Sequence, residues 1–441
     1  MDLSLIVPLR FPGERPRTLP LRNHLLTNAA VWSPDGWWIV YDVRSDAAGS
    51  RFDGTRIERV NVVDGTIETL YESRDGACVG VVTCSPVDDR VVFIHGPERP
   101  TADWYYGACH RQGLIAGAGR VENLDARDIV PPFTPGALRG GSHVHTFDGR
   151  GEWIAFTYED HVLAQLDPIL NQRNVGISVP GLPVAVPGTH PRNHNGSHFS
   201  VLVTRTTAHP QHGSDEISKA FEEAWVGRGG YLRANGTRQR RAIAFQGIVA
   251  SGISELFIVD LPGDVTHPGD EPLEGTATRA PCPPRGCVQR RLTYTESRRF
   301  AGIQGPRHWP RSHPDGSQIA FLMKDDAGIV QIWIVSPAGG EPRQVTHNPW
   351  DIASAFSWSP DGRSIAHIMD HSVFSTDVVT GESKRLTERT PDATSPRPEA
   401  CVFSPDGSRI AYVRTVENFN QIFTVDVGSM HVLPASFRHA R

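Results

Sequence analysis

Short apolar runs recur along the chain, each a few residues after a polar turn: Ile39-Val40-Tyr41, Val91-Val92-Phe93, Ile154-Ala155-Phe156, Ile319-Ala320-Phe321, Ile365-Ala366-His367 and Ile410-Ala411-Tyr412. The turn ahead of them is itself repeated. Trp32-Ser33-Pro34-Asp35-Gly36, Trp358-Ser359-Pro360-Asp361-Gly362 and Phe403-Ser404-Pro405-Asp406-Gly407 agree almost letter for letter. His313-Pro314-Asp315-Gly316 is a close variant, and Cys84-Ser85-Pro86 and Phe147-Asp148-Gly149-Arg150-Gly151 are weaker ones. Proline presets φ at the first central turn position, and Asp-Gly adds a side-chain hydrogen bond and a permissive φ. Such a turn between two apolar runs is a hairpin. Copies about 45–50 residues apart, with four strands to a copy, predict the blades of a β-propeller.

The predicted fold class is therefore all-β, a single propeller over 1–441 with seven four-stranded blades, six or eight being the alternatives. The blades are expected near 23–72, 78–125, 140–180, 196–295, 299–347, 350–389 and 397–436. Asp64-Gly65 marks the outer hairpin of blade one, and Trp104-Tyr105-Tyr106 is expected in a strand of blade two. Blade four lacks the marker. Its first strand is expected at His198–Thr204, followed by a short helical insertion over 214–225. There Ile217, Ala220, Phe221, Ala224 and Trp225 follow helical spacing behind a Ser214 N-cap. Two segments compete to close the ring. Arg17-Thr18-Leu19, within 15–21, matches outer strands such as Arg291-Leu292-Thr293, and Val432-Leu433 is its rival.

Composition narrows the class. Hydrophobic content of 39%, charged content of 21% and a net charge of −5 describe an ordinary globular chain with no case for nucleic-acid or membrane-surface partners. Lys219, Lys324 and Lys384 are the only lysines. Schiff-base chemistry is thereby disfavoured, and guanidinium groups are left to bind anions. No apolar run approaches the roughly 20 residues of a membrane helix, and the first residues lack a basic segment and a cleavage site. The six cysteines are scattered, so free thiols and a cytoplasmic location are expected. Gly227-Arg228-Gly229-Gly230 lacks the context of a phosphate loop, and there is no Gly-x-Ser-x-Gly elbow. No nucleotide or organic cofactor is expected.

Candidate chemistry comes from register. The positions seven residues upstream of each marker Asp slot are Asn28, Gly80, His143, His308, Ser354 and Glu399. These begin the innermost strands and should converge on one end of the central channel, with His198 joining them from blade four. His143 and His145 are two apart and are expected to face one side of a strand. Eight of the 19 histidines fall between His143 and His212. His143, His145, His198, His308 and Glu399 are thus candidate ligands for a divalent metal (Mn, Zn or Fe), the alternative being a solvated channel lining. Arg192 and Arg307 are candidate carboxylate clamps, and His194 or Arg192 a candidate base. Glu159-Asp160-His161 is read as a solvated turn.

The Ser-Pro-Asp-Gly marker followed by Ile-Ala-Tyr/Phe resembles the repeat of TolB-like propellers. A resemblance covering most of the chain is to the YidR-like family of bacterial proteins without a settled activity. It rests on Arg22–Asn28, Val79–Val82, Phe93–Glu98, Gly140–His145, Gly196–His198 and Gly213–Ile217. A more distant likeness, a His ahead of a marker turn, is to the oligogalacturonate lyases, propellers that hold a divalent metal at the channel mouth. That likeness implies a metal-dependent lyase cleaving uronic-acid oligosaccharides by β-elimination. The other reading is a non-catalytic propeller that binds a small anionic ligand or a protein.

Overall fold

A computed structural model of the chain describes residues 13–18 and 22–428. Its marker turns are built as their chemistry dictates. The Ser33 hydroxyl donates to Asp35 Oδ1 at 2.5 Å and accepts the Trp38 N–H at 3.0 Å, while Asp35 Oδ1 accepts the Trp37 N–H at 3.0 Å. Ser359/Asp361 and Ser404/Asp406 repeat the network, and in blade five the His313 ring takes the serine's place against Asp315 at 2.6 Å. Gly362 has φ of 74° and sits where a Cβ would collide with the His313 ring, so glycine is required both for the turn and for its packing on the neighbouring blade.

Seven four-stranded antiparallel sheets result. Blade one is Asn23–Leu25, Trp38–Arg44, Arg56–Asn61 and Ile67–Glu72; blade two is Val79–Cys84, Val91–His95, Gln112–Gly117 and Arg120–Asn123. Blade three is Gly140–Phe147, Ile154–Asp160, Asn174–Val179 and Phe199–Leu202; blade four is Lys219–Trp225, Ala242–Ile248, Ser254–Asp260 and Val288–Arg291. Blades five and six run from Arg311–Ser312 to Arg343–Gln344 and from Ser357–Trp358 to Ser383–Arg385. Blade seven combines Pro396–Phe403, Arg409–Val416 and Phe419–Asp426 with the N-terminal Glu14–Pro16.

The core lies between blades. Val31, Tyr41 and Val60 of blade one share a buried cluster with Ala400, Val402 and Ile422 of blade seven, each large side chain contributing roughly 1.5–3 kcal/mol. Inner strands are also clasped by indoles. Trp32, Trp225 and Trp358 donate their ring N–H to the carbonyls of Val402, Thr146 and Arg311 on adjacent blades, at 3.1, 3.0 and 2.8 Å. The ring closes through the N-terminus, by the strand Glu14–Pro16, which lies ahead of the Arg17-Thr18-Leu19 segment expected for that place. Glu14 is buried against Arg414 and Tyr412, and Thr18 Oγ1 donates to Gln421 at 2.7 Å. Val432-Leu433 lies outside the described residues.

Four expectations are corrected. No helix occupies 214–225: Lys219–Trp225 is the innermost strand of blade four. A bulge between Phe221 and Ala224, with Glu222 at φ 55°, adds one residue to its alternation and so imitates helical spacing. Secondly, Phe199–Leu202 is the outer strand of blade three, which therefore extends beyond 180, and His198 does not begin a blade. Thirdly, Trp104-Tyr105-Tyr106 lies in a loop. Fourthly, His143 and His145 do not share a face. Val144 is a bulge residue at φ 57°, and His145 turns back to Ser142, at 3.0 Å, on the side away from His143.

Candidate functional site

The inner strands begin at one end of the channel, here called the upper mouth, and the marker turns ring the lower one. At the upper mouth the same bulge recurs in blades two, three and four, centred on Val81, Val144 and Glu222. In blade four Phe221 takes the register position of Gly80 and His143, and the two bulge residues that follow it are carboxyl groups, Glu222 and Glu223, both buried.

Glu222 Oε1 accepts the Arg307 Nε–H at 2.7 Å, and its other oxygen is buried with no partner. Burial raises its pKa, against the pull of Arg307. Glu223 is more extreme. Its Oε2 accepts the Thr157 hydroxyl at 2.5 Å, Oε1 is buried and unpartnered, and desolvation pushes its pKa up to about 8. The carboxyl is therefore protonated at neutral pH and can donate a proton. His143 is 4% exposed, and its Nδ1 is buried without a partner. Burial, reinforced by Arg111, Arg173 and Arg307, holds its pKa well below the usual value, so the imidazole is neutral. Arg173 pairs with Glu159 through Nε at 2.8 Å, while the Arg307 side chain is 62% exposed and stacks on Trp309. A neutral imidazole, the neutral Glu223 carboxyl, the buried Glu222 carboxyl and an outward guanidinium fit acid–base work on an anion.

Of the sequence-derived candidates, His143 and Arg307 belong to this mouth. His308 is occupied on both nitrogens: Nδ1–H donates to the Pro306 carbonyl at 2.8 Å and Nε2 accepts the Leu322 N–H at 3.1 Å. His145 is sealed beside Ser142 and Gly113, its pKa lowered to about 3 by burial. His198 bonds Ser197 Oγ at 2.9 Å at the edge of blade three, and Glu399 is paired with Arg397 at 2.6 Å. Arg192 donates to the carbonyls of Glu98 and Arg99, and His194 Nε2 is buried without a partner. Neither presents a free base to the channel. Among the described residues no three His, Cys, Asp or Glu side chains are grouped to hold a metal. The five candidate ligands therefore do not fit a divalent ion.

Glu222 and Glu223 escape a sequence reading because blade four has no marker. Trp225-Val226-Gly227 was the available signal, since Trp225 occupies the place of Trp32 and Trp358 in the inter-blade clasp. Beside the mouth, Asp160 caps the short helix His161–Leu166, and His161 Nδ1 lies 3.1 Å from His110 Nε2.

The fold is that of a seven-bladed β-propeller. A solved oligogalacturonate lyase in complex with manganese superposes with a TM-score of 0.57 over 94% of this chain and 92% of its own, at 11% identity. An oligogalacturonate lyase from Vibrio parahaemolyticus gives 0.57 over 94% and 93%, at 10% identity. At these identities the likeness is one of fold. The chain belongs to the family of the uncharacterized protein YidR of Escherichia coli K12, to which it is 50% identical over 404 residues, 90% of this chain and 94% of that protein. Residues 78–194 also match a family described as a protein of unknown function, DUF3748. Among the described residues no helix is long and apolar enough to cross a membrane.

Proposed function

We propose that the upper mouth over blades three to five is the active site of a lyase that cleaves uronate-containing oligosaccharides by β-elimination. The observation that carries this reading is Glu223, a buried carboxyl with a pKa near 8 bonded by Thr157, the cross-strand partner of the neutral His143, and followed along the mouth by Arg307, whose exposed guanidinium pairs with Glu222. The substrate carboxylate pairs with Arg307, which disperses the enolate-like charge of the transition state. His143 takes the proton on the carbon next to that carboxylate. The released pair forms the C=C bond, the glycosidic oxygen departs, and Glu223 protonates it. Proton return from His143 to Glu223 through solvent resets the site. The oligogalacturonate-lyase neighbours support an oligosaccharide substrate by analogy of fold alone.

The neighbour described with manganese invites a metal-dependent version, in which the ion would supply Lewis-acid stabilisation of the same charge. Among the described residues the candidate ligands do not fit such an ion, as the engaged nitrogens of His308 illustrate, and no step is assigned to one. All six cysteines are free thiols, which favours the cytoplasm as the place of action.

The test is ultraviolet absorbance of the unsaturated product from oligogalacturonate, oligomannuronate and oligoglucuronate, with metal content measured in parallel. Product formation lost in His143→Gln and Glu223→Gln, with bound metal unchanged, is expected. No product from any of these substrates, with or without added Mn²⁺, overturns the lyase reading and leaves a binding propeller.

A further inference from the structure

The lower mouth opens into a cavity of about 660 Å³ to which all seven blades contribute. Its wall is aromatic and proline-rich: Trp32, Phe147, Trp225, Trp358 and Phe403 stand between the prolines of the marker turns. The volume lies within the usual range for a small-molecule site.

Against this apolar wall stands one deep cation, Arg311. Its Nη2 donates to Asn28 Oδ1 on blade one, so the side chain reaches across the channel from blade five. It makes no ion pair with any carboxylate of the described residues. Glu222 lies within electrostatic reach of it but is held by Arg307. Its Nε and Nη1 have no protein partner, and neither is among the sealed unsatisfied atoms. These donors therefore face the water of the channel and cavity. Burial lowers the Arg311 pKa to about 10, leaving the group charged at neutral pH. The backbone behind it is fixed, because its carbonyl accepts the Trp358 indole N–H at 2.8 Å. Arg228, exposed at the rim, adds a second positive group. The acid in the wall, Asp148, is already paired with Arg241 at 2.8 Å.

We propose that the lower cavity is a binding site for an organic carboxylate with an aromatic or aliphatic body, the carboxylate on Arg311 and the body against the ring of indoles and prolines. A desolvated guanidinium with unused donors binds a carboxylate through charge-assisted hydrogen bonds, and the aromatic wall takes up the apolar part.

Isothermal titration with 4-phenylbutyrate and its neutral counterpart 4-phenylbutan-1-ol tests it, with indole fluorescence as a second reading because three tryptophans line the cavity. The acid should bind the unmodified protein at least tenfold more tightly than the alcohol. That preference should vanish in Arg311→Met and persist, weakened several-fold, in Arg311→Lys. Equal binding of acid and alcohol by the unmodified protein, or binding of neither, overturns the proposal whether or not the variants fold. So does a preference that survives in an Arg311→Met protein with an unchanged circular dichroism spectrum.

Discussion

Thr157 Oγ1 donates a 2.5 Å hydrogen bond to Glu223 Oε2 across the seam between blades three and four, while Glu223 Oε1 is buried with no partner. One hydroxyl cannot replace the hydration of a carboxylate, so the group remains a neutral acid. Its pKa of about 8 lies above the value near 4.5 of an unfolded glutamate. Between these two values the folded chain holds a proton that the unfolded chain has released. The stabilising contribution is full below about pH 4.5 and is lost as pH rises to 8. Glu223→Gln should remove this dependence. Its melting temperature should match the parent near pH 5 and exceed it at pH 9, and lyase activity should fall at least 100-fold. Parallel melting curves for the two proteins across that range would contradict the assignment of the proton.

Glu14 is a second buried carboxyl, and it closes the ring. It bonds Arg414 Nη1 at 2.5 Å and accepts the Tyr412 hydroxyl, tying the N-terminal strand to blade seven. Removing one partner of a buried ion pair costs about 3–5 kcal/mol. Glu14→Ala should therefore lower the unfolding free energy by about 3 kcal/mol in urea titrations. A loss below about 1 kcal/mol would mean that blade seven closes without this strand.

His308 separates a structural histidine from a metal ligand. Both ring nitrogens serve the backbone, at Pro306 and Leu322, so the side chain acts as a brace for blade five. His308→Ala should cost about 2 kcal/mol through two lost hydrogen bonds and a cavity. Elemental analysis should show no change in bound metal, whereas loss of stoichiometric Mn, Zn or Fe would restore His308 as a ligand.

The marker turns made most of the architecture legible, because Ser-Pro-Asp-Gly encodes its own hydrogen bonds and each copy dates the strand that follows. His143 was located by this register although Arg150 stands in the Asp slot of its blade. Register failed where the marker is missing. Trp225 still clasps Thr146, but without Pro-Asp-Gly after it the bulged strand Lys219–Trp225 reads as a helix, which leaves Glu222 and Glu223 unremarked. The bulge at Val144 likewise hid the divergence of His143 from His145, since strict alternation assumes an unbroken ladder. What remained illegible was pairing. Nothing in the spacing of His308 or Glu399 announces that Pro306, Leu322 and Arg397 already occupy them.

Acid should unfold this protein through its histidines. Ten of the 19 have pKa values lowered chiefly by burial, among them His24, His161 and His308 at about 4 and His145, His194 and His367 at about 3. An unfolded histidine takes up its proton near pH 6.5. Below that value the unfolded chain binds protons that the folded chain refuses, so the stability these residues supply is present above 6.5 and lost as pH falls towards 4. Each group contributes up to about 1.4 kcal/mol per pH unit, and ten together make the acid limb steep even though Glu222, Glu223 and Asp125, with raised values, oppose it. Unfolding free energies at pH 7, 6, 5.5 and 5 should fall with a slope corresponding to several protons taken up. His367→Phe, at a site that is fully buried and whose ring stacks on Phe374, should reduce that slope by close to one proton at pH 5. A slope below one proton for the parent protein would show that these imidazoles gain hydration or partners in solution that relieve their burial.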